Sequence, residues 1–211
     1  MEPGTVTIVD LSDPFVDAGT ACNLFDICLS VILKRHREAV NNNIISPGLI
    51  VALDEAHKYL GKDIPAAEVF TASLLTTIRE QRHNGARVVV ATQEPSISER
   101  LMDLCSVTIV HRFSSPEWFK AIRDHLGGAS AMISEDSRGE KASSKRADLF
   151  QRIMGLETGE SLVFSPTSYV RGGGEDENGK SVAPMKLGSG VLLMRTRLRK
   201  GEDAGRMMNA V

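Results

Sequence analysis

The chain has 211 residues and a formal net charge of -2. It can therefore bury one full domain core, and it carries no general attraction to nucleic acid or anionic membranes. The cysteines Cys22, Cys28 and Cys105 form no Cys-x-x-Cys pair, which argues against a disulfide framework and indicates a reducing compartment. No apolar stretch approaches the roughly 20 residues of a membrane span, and the N-terminus has no signal-like segment. We therefore expect a soluble cytoplasmic or nuclear protein with no membrane partner.

Hydrophobic periodicity predicts alternating strands and helices over the first 126 residues. The predicted elements are a strand over 5–11, a helix from Thr20 to about Val40, a strand over 49–53, a helix from Pro65 to about His83, a strand over 87–91, a short helix after the loop 92–98, a strand over 107–110 and a helix over 116–126. Near-continuous apolar strands that alternate with helices predict an α/β fold with a mostly parallel sheet covered on both faces.

The remainder of the chain changes character. We expect a charged, Ser-rich mobile surface segment over 134–146, a helix over 147–156, a strand over 161–164, a flexible Gly-rich acidic loop over 172–179, a strand over 191–198 and a disordered tail from Lys200. The predicted organisation is an α/β core over 1–165, a flexible loop over 166–189, and a terminal strand and tail over 190–211 that form a β-hairpin-like extension.

Polar residues follow four of the predicted strands: Asp10, Asp54-Glu55, Thr92-Gln93 and His111-Arg112. Ligands of wound parallel sheets bind beyond the carboxyl ends of the strands. These positions therefore predict a functional edge.

Asp54 and Glu55 are the strongest candidates, because an apolar strand ends abruptly at this acidic pair. In nucleotide-hydrolysing sheets, an Asp there can hold the water shell of Mg²⁺ while a neighbouring Glu polarises the attacking water. The simpler alternative is a helix N-cap followed by a first-turn acid. Capping does not explain why the strand is apolar right up to the pair.

Gln93 ends the predicted strand that we place beside the acidic one. An amide there can touch a γ-phosphate or the attacking water, and the alternative is a polar loop residue ahead of Pro95. His57 could relay contacts within the same site or simply pack locally. Arg79 and Arg82 lie three residues apart near a helix end, where they either neutralise a transferred phosphoryl group or serve as solvated cations that favour the helix dipole.

Residues 174–181, Gly-Glu-Asp-Glu-Asn-Gly-Lys-Ser, satisfy the literal phosphate-loop pattern. A working phosphate loop needs a strand before it and a helix after it, whose positive end faces the phosphates. Three carboxylates line this loop, and Pro184, Gly188 and Gly190 prevent a helix of useful length. We interpret the match as a coincidence.

The order of motifs resembles the C-terminal half of HerA/FtsK-type P-loop ATPases, the branch that includes hexameric DNA translocases. The motifs that carry this resemblance are Thr7-Ile8-Val9-Asp10-Leu11-Ser12, Asp54-Glu55-Ala56-His57, residues 78–85, Val88-Val89-Val90-Ala91-Thr92-Gln93-Glu94-Pro95, Leu156-Glu157-Thr158-Gly159-Glu160 and a closing Arg-rich strand. The similarity covers about 5–199.

The resemblance implies a RecA-like P-loop NTPase core that begins after the phosphate loop and uses ATP and Mg²⁺. It places Asp54, in a Walker B position, near Mg²⁺ through water, Glu55 as the catalytic carboxylate and Gln93 as a sensor. It also favours Arg79 and Arg82 as phosphate-contacting residues, one of them acting in trans. A homo- or hetero-oligomeric ring is implied, and DNA is a possible partner. The phosphate loop and small β-domain of this family would lie before Met1, so we expect the isolated chain to be inactive.

Three functional classes follow. The first is part of a ring-forming, DNA-moving ATPase. The second is a degenerate ATPase fold that serves as a non-catalytic assembly or regulatory subunit. The third and weakest is a DEAH-box helicase fragment, which would need a second motor domain for which the residues after Leu126 leave too little room.

Overall fold

The computed structural model describes residues 4–11, 13–41, 48–61, 64–123, 125, 140–170 and 184–197, and at 82, 84 and 140–146 it describes the backbone alone. The chain divides into two compact units, Met1–Cys105 and Ser106–Val211. Each unit has its own apolar core. The proposed limits of the ATPase-like core, 1–165, remain a prediction.

A pair of parallel strands lies at the centre of the first unit. Strand β1 (Leu49–Leu53) pairs with β2 (Ala86–Val90), with Leu49 opposite Ala86 and Leu53 opposite Val90. Side chains alternate across these strands, so Leu53 enters the core whereas Ile50 is 70% exposed. The predicted α/β class is confirmed. On the other face of this described pair, Ile50 and Val89 are exposed, by 70% and 53%.

Helices α1 (Ala18–Asn41) and α2 (Pro65–Arg79) pack on each other. Helix α2 carries the chain from the end of β1 back to the start of β2, as a parallel connection requires. Its apolar face buries Phe70 and Leu74 almost completely. A short helix α3 (Gln81–Asn84) then leads through Gly85, whose φ of 58° suits glycine, into β2.

The single helix predicted from Pro65 to about His83 is therefore interrupted. At Glu80 the backbone leaves helical geometry, with φ −90° and ψ 5°. Just before this point, the hydroxyls of Thr76 and Thr77 donate to the carbonyls one turn earlier. Such bonds bend helices, and hydrophobic periodicity does not register them.

The strand predicted over 5–11 is wrong. Within the described structure these residues pair with no strand, and Val6 and Ile8 are more than 80% exposed. An alternating β-branched pattern favours extended backbone, but a strand also needs a hydrogen-bonding partner. The remaining element of the first unit is α4 (Glu99–Asp103), close to the short helix expected after the loop 92–98.

Antiparallel pairing dominates the described second unit. Strands β3 (Thr108–His111), β4 (Glu160–Phe164) and β7 (Leu192–Arg195) form a sheet in the order β3-β4-β7, and β5 (Tyr169–Val170) pairs with β6 (Met185–Lys186). Helices α5 (Pro116–Arg123) and α6 (Glu140–Met154) supply core residues such as Phe119 and Ile153. The expectation that the strand over 107–110 joins a parallel sheet is wrong, because β3 pairs in the antiparallel sense with β4.

The expectation of a mobile surface segment over 134–146 is wrong for residues 140–146, because they belong to helix α6. Residues 134–139, the phosphate-loop-like stretch 174–181 and the tail from Lys200 lie outside the described residues. Among the described helices, none combines the length and hydropathy that a membrane crossing requires.

Candidate functional site at the carboxyl edge of the parallel strands

The site begins where β1 ends. Leu53 is buried, whereas Asp54 is exposed and Glu55 is 35% exposed in its side chain. Glu55 adopts φ 51° and ψ 39°, the left-handed region, and is the one non-glycine residue with positive φ in the described part of the chain. Side chains other than Asn, Asp and Gly rarely adopt this conformation, and when they do it often marks a functional site.

Main-chain bonds to the neighbouring strand hold this turn. The Ala56 N–H donates to the Ala91 carbonyl at 2.9 Å, and the Ala91 N–H donates to the Leu53 carbonyl at 2.8 Å. The ends of β1 and β2 are thus tied together. Gln93, two residues beyond Ala91, is delivered to the same edge.

Helix capping does not account for the acidic pair. Asp54 Oδ1 accepts a 2.9 Å hydrogen bond from the N–H of the next residue, Glu55. The short 3-10 turn Ala56–Lys58 has no side-chain cap bond from Glu55, and α2 begins only at Pro65. Neither carboxylate therefore performs the role that the simpler alternative assigned to it.

Glu55 and Gln93 meet directly, as expected from adjacent parallel strands. Gln93 Nε2 donates to Glu55 Oε1 at 2.7 Å across 38 positions of sequence. The other carboxylate oxygen, Oε2, lies 3.6 Å from His57 Nε2 and 3.5 Å from Lys58 Nζ. The Gln93 backbone N–H in turn donates to His57 Nδ1 at 3.4 Å.

These contacts favour an ionised Glu55. The hydrogen bond from the Gln93 amide lowers the pKa of the Glu55 carboxyl below its ordinary value, and the nearby positive charges of Lys58 and His57 lower it further, against a smaller opposing effect of desolvation. A carboxylate that is ionised at neutral pH can accept a hydrogen bond from a water molecule and polarise it.

Tyr59 supports the turn from the core side. Its hydroxyl donates to the Asp54 carbonyl at 2.9 Å, and its ring lies 4.8 Å from Phe25 and 6.4 Å from Phe70, centroid to centroid. Burial raises the pKa of Tyr59 to about 12. Our sequence analysis did not find Tyr59. A buried tyrosine usually needs a partner for its hydroxyl, but the sequence does not identify that partner.

The predicted arginines lie at the other end of the strands. Arg79 is exposed at the last residue of α2, and Arg82 lies in α3, with its side chain outside the described part. The Gly85 carbonyl, which follows α3, accepts a hydrogen bond from the Leu49 N–H at the start of β1. A 15-residue helix is about 22 Å long, so α2 separates Arg79 from the acidic edge of its own chain.

Two other predicted edge positions do not follow parallel strands. Asp10 follows no strand, and His111 ends β3 in the antiparallel sheet of the second unit, with Arg112 directly after it. The described parallel strands that end at predicted site residues are therefore β1 and β2.

Asp54 is the residue that we predicted to lie near Mg²⁺ through water. No group of three or more His, Cys, Asp or Glu side chains within the described residues could hold a metal ion. Mg²⁺ in phosphate-handling sites keeps several waters and uses one or two carboxylates together with phosphate oxygens. Asp54 supplies one such carboxylate, exposed at the end of β1, and the phosphate oxygens would come from a ligand.

The chain matches no protein-family model and no curated protein. Among solved structures, it is similar to the genome packaging NTPase B204 from Sulfolobus turreted icosahedral virus 2. The complex with ATP-gammaS has 13% identity and a TM-score of 0.47, with 88% of this chain and 65% of that chain covered. The complex with AMPPCP has 12% identity and a TM-score of 0.45, with 82% and 63% covered. The complex with AMP has 15% identity and a TM-score of 0.38, with 76% and 62% covered.

The chain thus spans less than two thirds of the length of these packaging NTPase chains. A likeness at this distance carries no argument about site or activity, so the functional argument depends on the geometry of the chain itself.

Proposed function

We propose that the chain contains the acidic half of a nucleotide-hydrolysing site, in an ATPase core of the HerA/FtsK type. The single observation that carries this proposal is the 2.7 Å hydrogen bond between Glu55 and Gln93 at the carboxyl ends of parallel strands. It brings together a carboxylate in a strained backbone position, a sensor amide and, one residue earlier, an exposed Asp54.

Each residue has a distinct part in this proposal. Asp54 would hold Mg²⁺ through its water shell, and Mg²⁺ there would supply positive charge to neutralise the phosphates. Glu55 accepts a hydrogen bond from the attacking water and polarises it. Gln93 donates its amide to Glu55 when no phosphate is present, and it turns to the γ-phosphate or the water when nucleotide binds. The hydrogen bonding of Glu55 thereby depends on whether nucleotide is bound.

The arginines enter the proposal from another subunit. Because Arg79 and Arg82 lie at the opposite edge from Asp54, they reach a phosphoryl group only if the edge of one copy meets the opposite edge of the next. Such head-to-tail contact gives a ring when the rotation between successive copies closes. An arginine supplied in this way stabilises charge that develops on a transferred phosphoryl group.

The chain alone should hydrolyse ATP poorly. Backbone N–H groups and a lysine usually hold the triphosphate, and the sole phosphate-loop match in the sequence, residues 174–181, has the wrong context. We expect no turnover above that of Glu55→Gln. Translocation of DNA is the activity that the resemblance assigns to a complete assembly.

Calorimetry with a non-hydrolysable ATP analogue tests the proposal on the full chain. We expect weak binding that strengthens when Mg²⁺ is added, and we expect Asp54→Asn to lose this dependence on Mg²⁺. Glu117→Gln, which neutralises an exposed carboxyl on α5, is the matched control and should bind as the unsubstituted chain does. Equal dependence on Mg²⁺ in Asp54→Asn and the unsubstituted chain would contradict the proposal.

An assembly subunit without catalysis is the second candidate. The observation that favours it is the uncovered face of the parallel strands, where Ile50 is 70% and Val89 is 53% exposed. Parallel sheets normally bury both faces, so this face suits a macromolecular partner. Light scattering on Ile50→Ser and on the unsubstituted chain tests this candidate. The same mass for both at every concentration would contradict a self-assembly role for the face.

A further inference from the structure

His57 lies between the two groups that define the site. Its imidazole is 15% exposed, and its two nitrogens face different strand ends. Nδ1 accepts a hydrogen bond from the Gln93 backbone N–H at 3.4 Å, and Nε2 faces Glu55 Oε2 at 3.6 Å. One ring therefore contacts both the loop after β2 and the carboxylate after β1.

The first contact fixes the tautomer of the neutral ring. A nitrogen that accepts a hydrogen bond carries no proton, so Nδ1 must be bare and the single ring proton sits on Nε2. Nε2 is the ring nitrogen that lies near Glu55 Oε2. The distance of 3.6 Å is longer than a hydrogen bond, so the ring guides the carboxylate through electrostatic attraction.

Lys58 is a cation that also lies beside Glu55 Oε2, at 3.5 Å, but its side chain is 67% exposed. Exposed ion pairs hold their partners weakly, because the long side chain loses conformational freedom and water screens the charge. The largely buried ring of His57 has less freedom, and it alone also contacts the backbone of Gln93.

We propose that His57 is a positioning residue that keeps the Gln93 loop in register with Glu55, so that the side-chain amide of Gln93 meets the carboxylate. Its importance for hydrolysis rests on the proposed function. The geometry itself can be tested on the nucleotide-free chain, so a failure to bind nucleotide and a failure of this inference give different results.

Nitrogen-detected NMR of the full chain gives the direct test. We expect the neutral His57 ring to show a protonated Nε2 and a bare Nδ1. A protonated Nδ1 with a bare Nε2, or an even mixture of the two tautomers, would overturn the proposal. This measurement needs no substitution, so it does not depend on whether any variant folds.

Two substitutions separate positioning from packing. In His57→Asn, the amide oxygen takes the place of Nδ1 and can accept the Gln93 N–H, whereas His57→Phe keeps the ring shape without nitrogen. Both remove the imidazole Nε2–H beside Glu55, so their difference isolates the anchor, which is the group that accepts the Gln93 N–H. We expect His57→Asn to keep the Glu55–Gln93 contact, seen as a Glu55 pKa closer to the unsubstituted chain than in His57→Phe.

Hydrogen exchange of the Gln93 amide supplies a second readout. We expect exchange in His57→Phe to be faster than in His57→Asn by on the order of fivefold, the effect of losing one ordinary hydrogen bond. His111→Phe, at an exposed histidine of β3, is the control and should leave both readouts unchanged. Equal behaviour of His57→Asn and His57→Phe would reduce His57 to a packing residue and overturn the inference.

Discussion

Two carboxylates of the chain accept a short hydrogen bond from a residue on another strand or strand end, yet their surroundings differ. Glu55 accepts from the neutral amide of Gln93 at 2.7 Å and sits in left-handed backbone. Glu160, at the start of β4, accepts from the Arg195 guanidinium at 2.8 Å and also from the Glu157 N–H at 3.0 Å. Its backbone has no such strain.

The difference separates a candidate chemical group from a structural one. The Glu160–Arg195 pair joins the start of β4 to the end of β7. Next to it, the Thr196 N–H donates to the Gly159 carbonyl. Each polar group there already has a strong local partner. Glu55 instead has a strained backbone and a neutral hydrogen-bond partner. The free-energy cost for a ligand to replace a neutral partner is lower than the cost to break an ion pair.

The largest effect should come from the core beneath Glu55. Phe70 is 1% exposed and packs against Tyr59, whose hydroxyl holds the Asp54 carbonyl. Phe70→Ala should lower the free energy of unfolding by about 3–5 kcal/mol and also weaken the Glu55–Gln93 contact. Denaturant unfolding measures the first effect, and NMR titration of Glu55 measures the second. Phe70→Leu, which leaves a smaller cavity, should have smaller effects on the stability and on the Glu55–Gln93 contact. An unchanged pKa of Glu55 in Phe70→Ala would mean that the site does not depend on the packing around Phe70.

Tyr59→Phe should have a smaller effect. It removes one hydrogen bond to the Asp54 carbonyl, at a cost of about 1 kcal/mol. Because the pKa of Tyr59 is raised from 10 to about 12 in the folded chain, its stabilising effect is complete below pH 10 and is lost as pH rises towards 12. Tyr59→Phe should lack this part of the loss of stability at alkaline pH. Parallel stability curves for the two proteins from pH 9 to 12 would contradict the assignment.

Removing the partner of each carboxylate sharpens the comparison. Gln93→Ala should raise the pKa of Glu55 towards 4.5, because the Gln93 amide is its main cause of lowering. The stability that Glu55 supplies is present above pH 4.5 and is lost as pH falls through its lowered value, so Gln93→Ala should reduce this acid-side loss. Arg195→Ala should raise the pKa of Glu160 only in part, because the hydrogen bond from the Glu157 N–H, the largest single cause of its lowering, remains.

Salt distinguishes the same two sites without substitution. Added NaCl screens the Arg195 charge but not the neutral amide of Gln93, so the pKa of Glu160 should rise more than that of Glu55 between low and high ionic strength. NMR titration at two salt concentrations measures both. A larger rise at Glu55 would mean that Lys58 and His57, rather than Gln93, hold its carboxylate.

The smallest effect should come from Arg79→Ala. Since α2 carries Arg79 to the edge opposite Asp54, the pKa of Glu55 in the nucleotide-free chain should not change at low protein concentration. Gln93→Ala serves as the positive control in the same titration. If the pKa of Glu55 shifts in Arg79→Ala and the shift persists on dilution, Arg79 lies beside the acidic edge of its own chain.

The site was more predictable from sequence than the sheet around it. Strand β1 was predicted over the residues it occupies, because Pro47-Gly48 and Asp54 bound its apolar run. The rule that parallel strands end at one edge then predicted the approach of Gln93 to Glu55, which is confirmed. Pairing partners were not predictable in the same way: β3 shows the same apolar pattern whether its neighbour runs parallel or antiparallel, and the segment 5–11 has a strand pattern without a partner.

Features that depend on individual contacts were also missed. Nothing in the sequence signals the left-handed backbone of Glu55 or the bond from Tyr59 to the Asp54 carbonyl. The position of Arg79 is different, because it follows from a rule that was available: a helix between parallel strands returns the chain to the opposite edge. The catalytic roles of Asp54, Glu55 and Gln93 remain predictions.

The central claim is that metal and nucleotide meet at the ends of β1 and β2, and paramagnetic NMR tests it most directly, even for weak binding. Mn²⁺ replaces Mg²⁺ together with the non-hydrolysable ATP analogue, and broadened amide signals show where the ion lies. The account predicts that signals over 54–57 and 92–93 broaden first and that Asp54→Asn abolishes this broadening. Broadening centred on another part of the chain, or unchanged in Asp54→Asn, would contradict it.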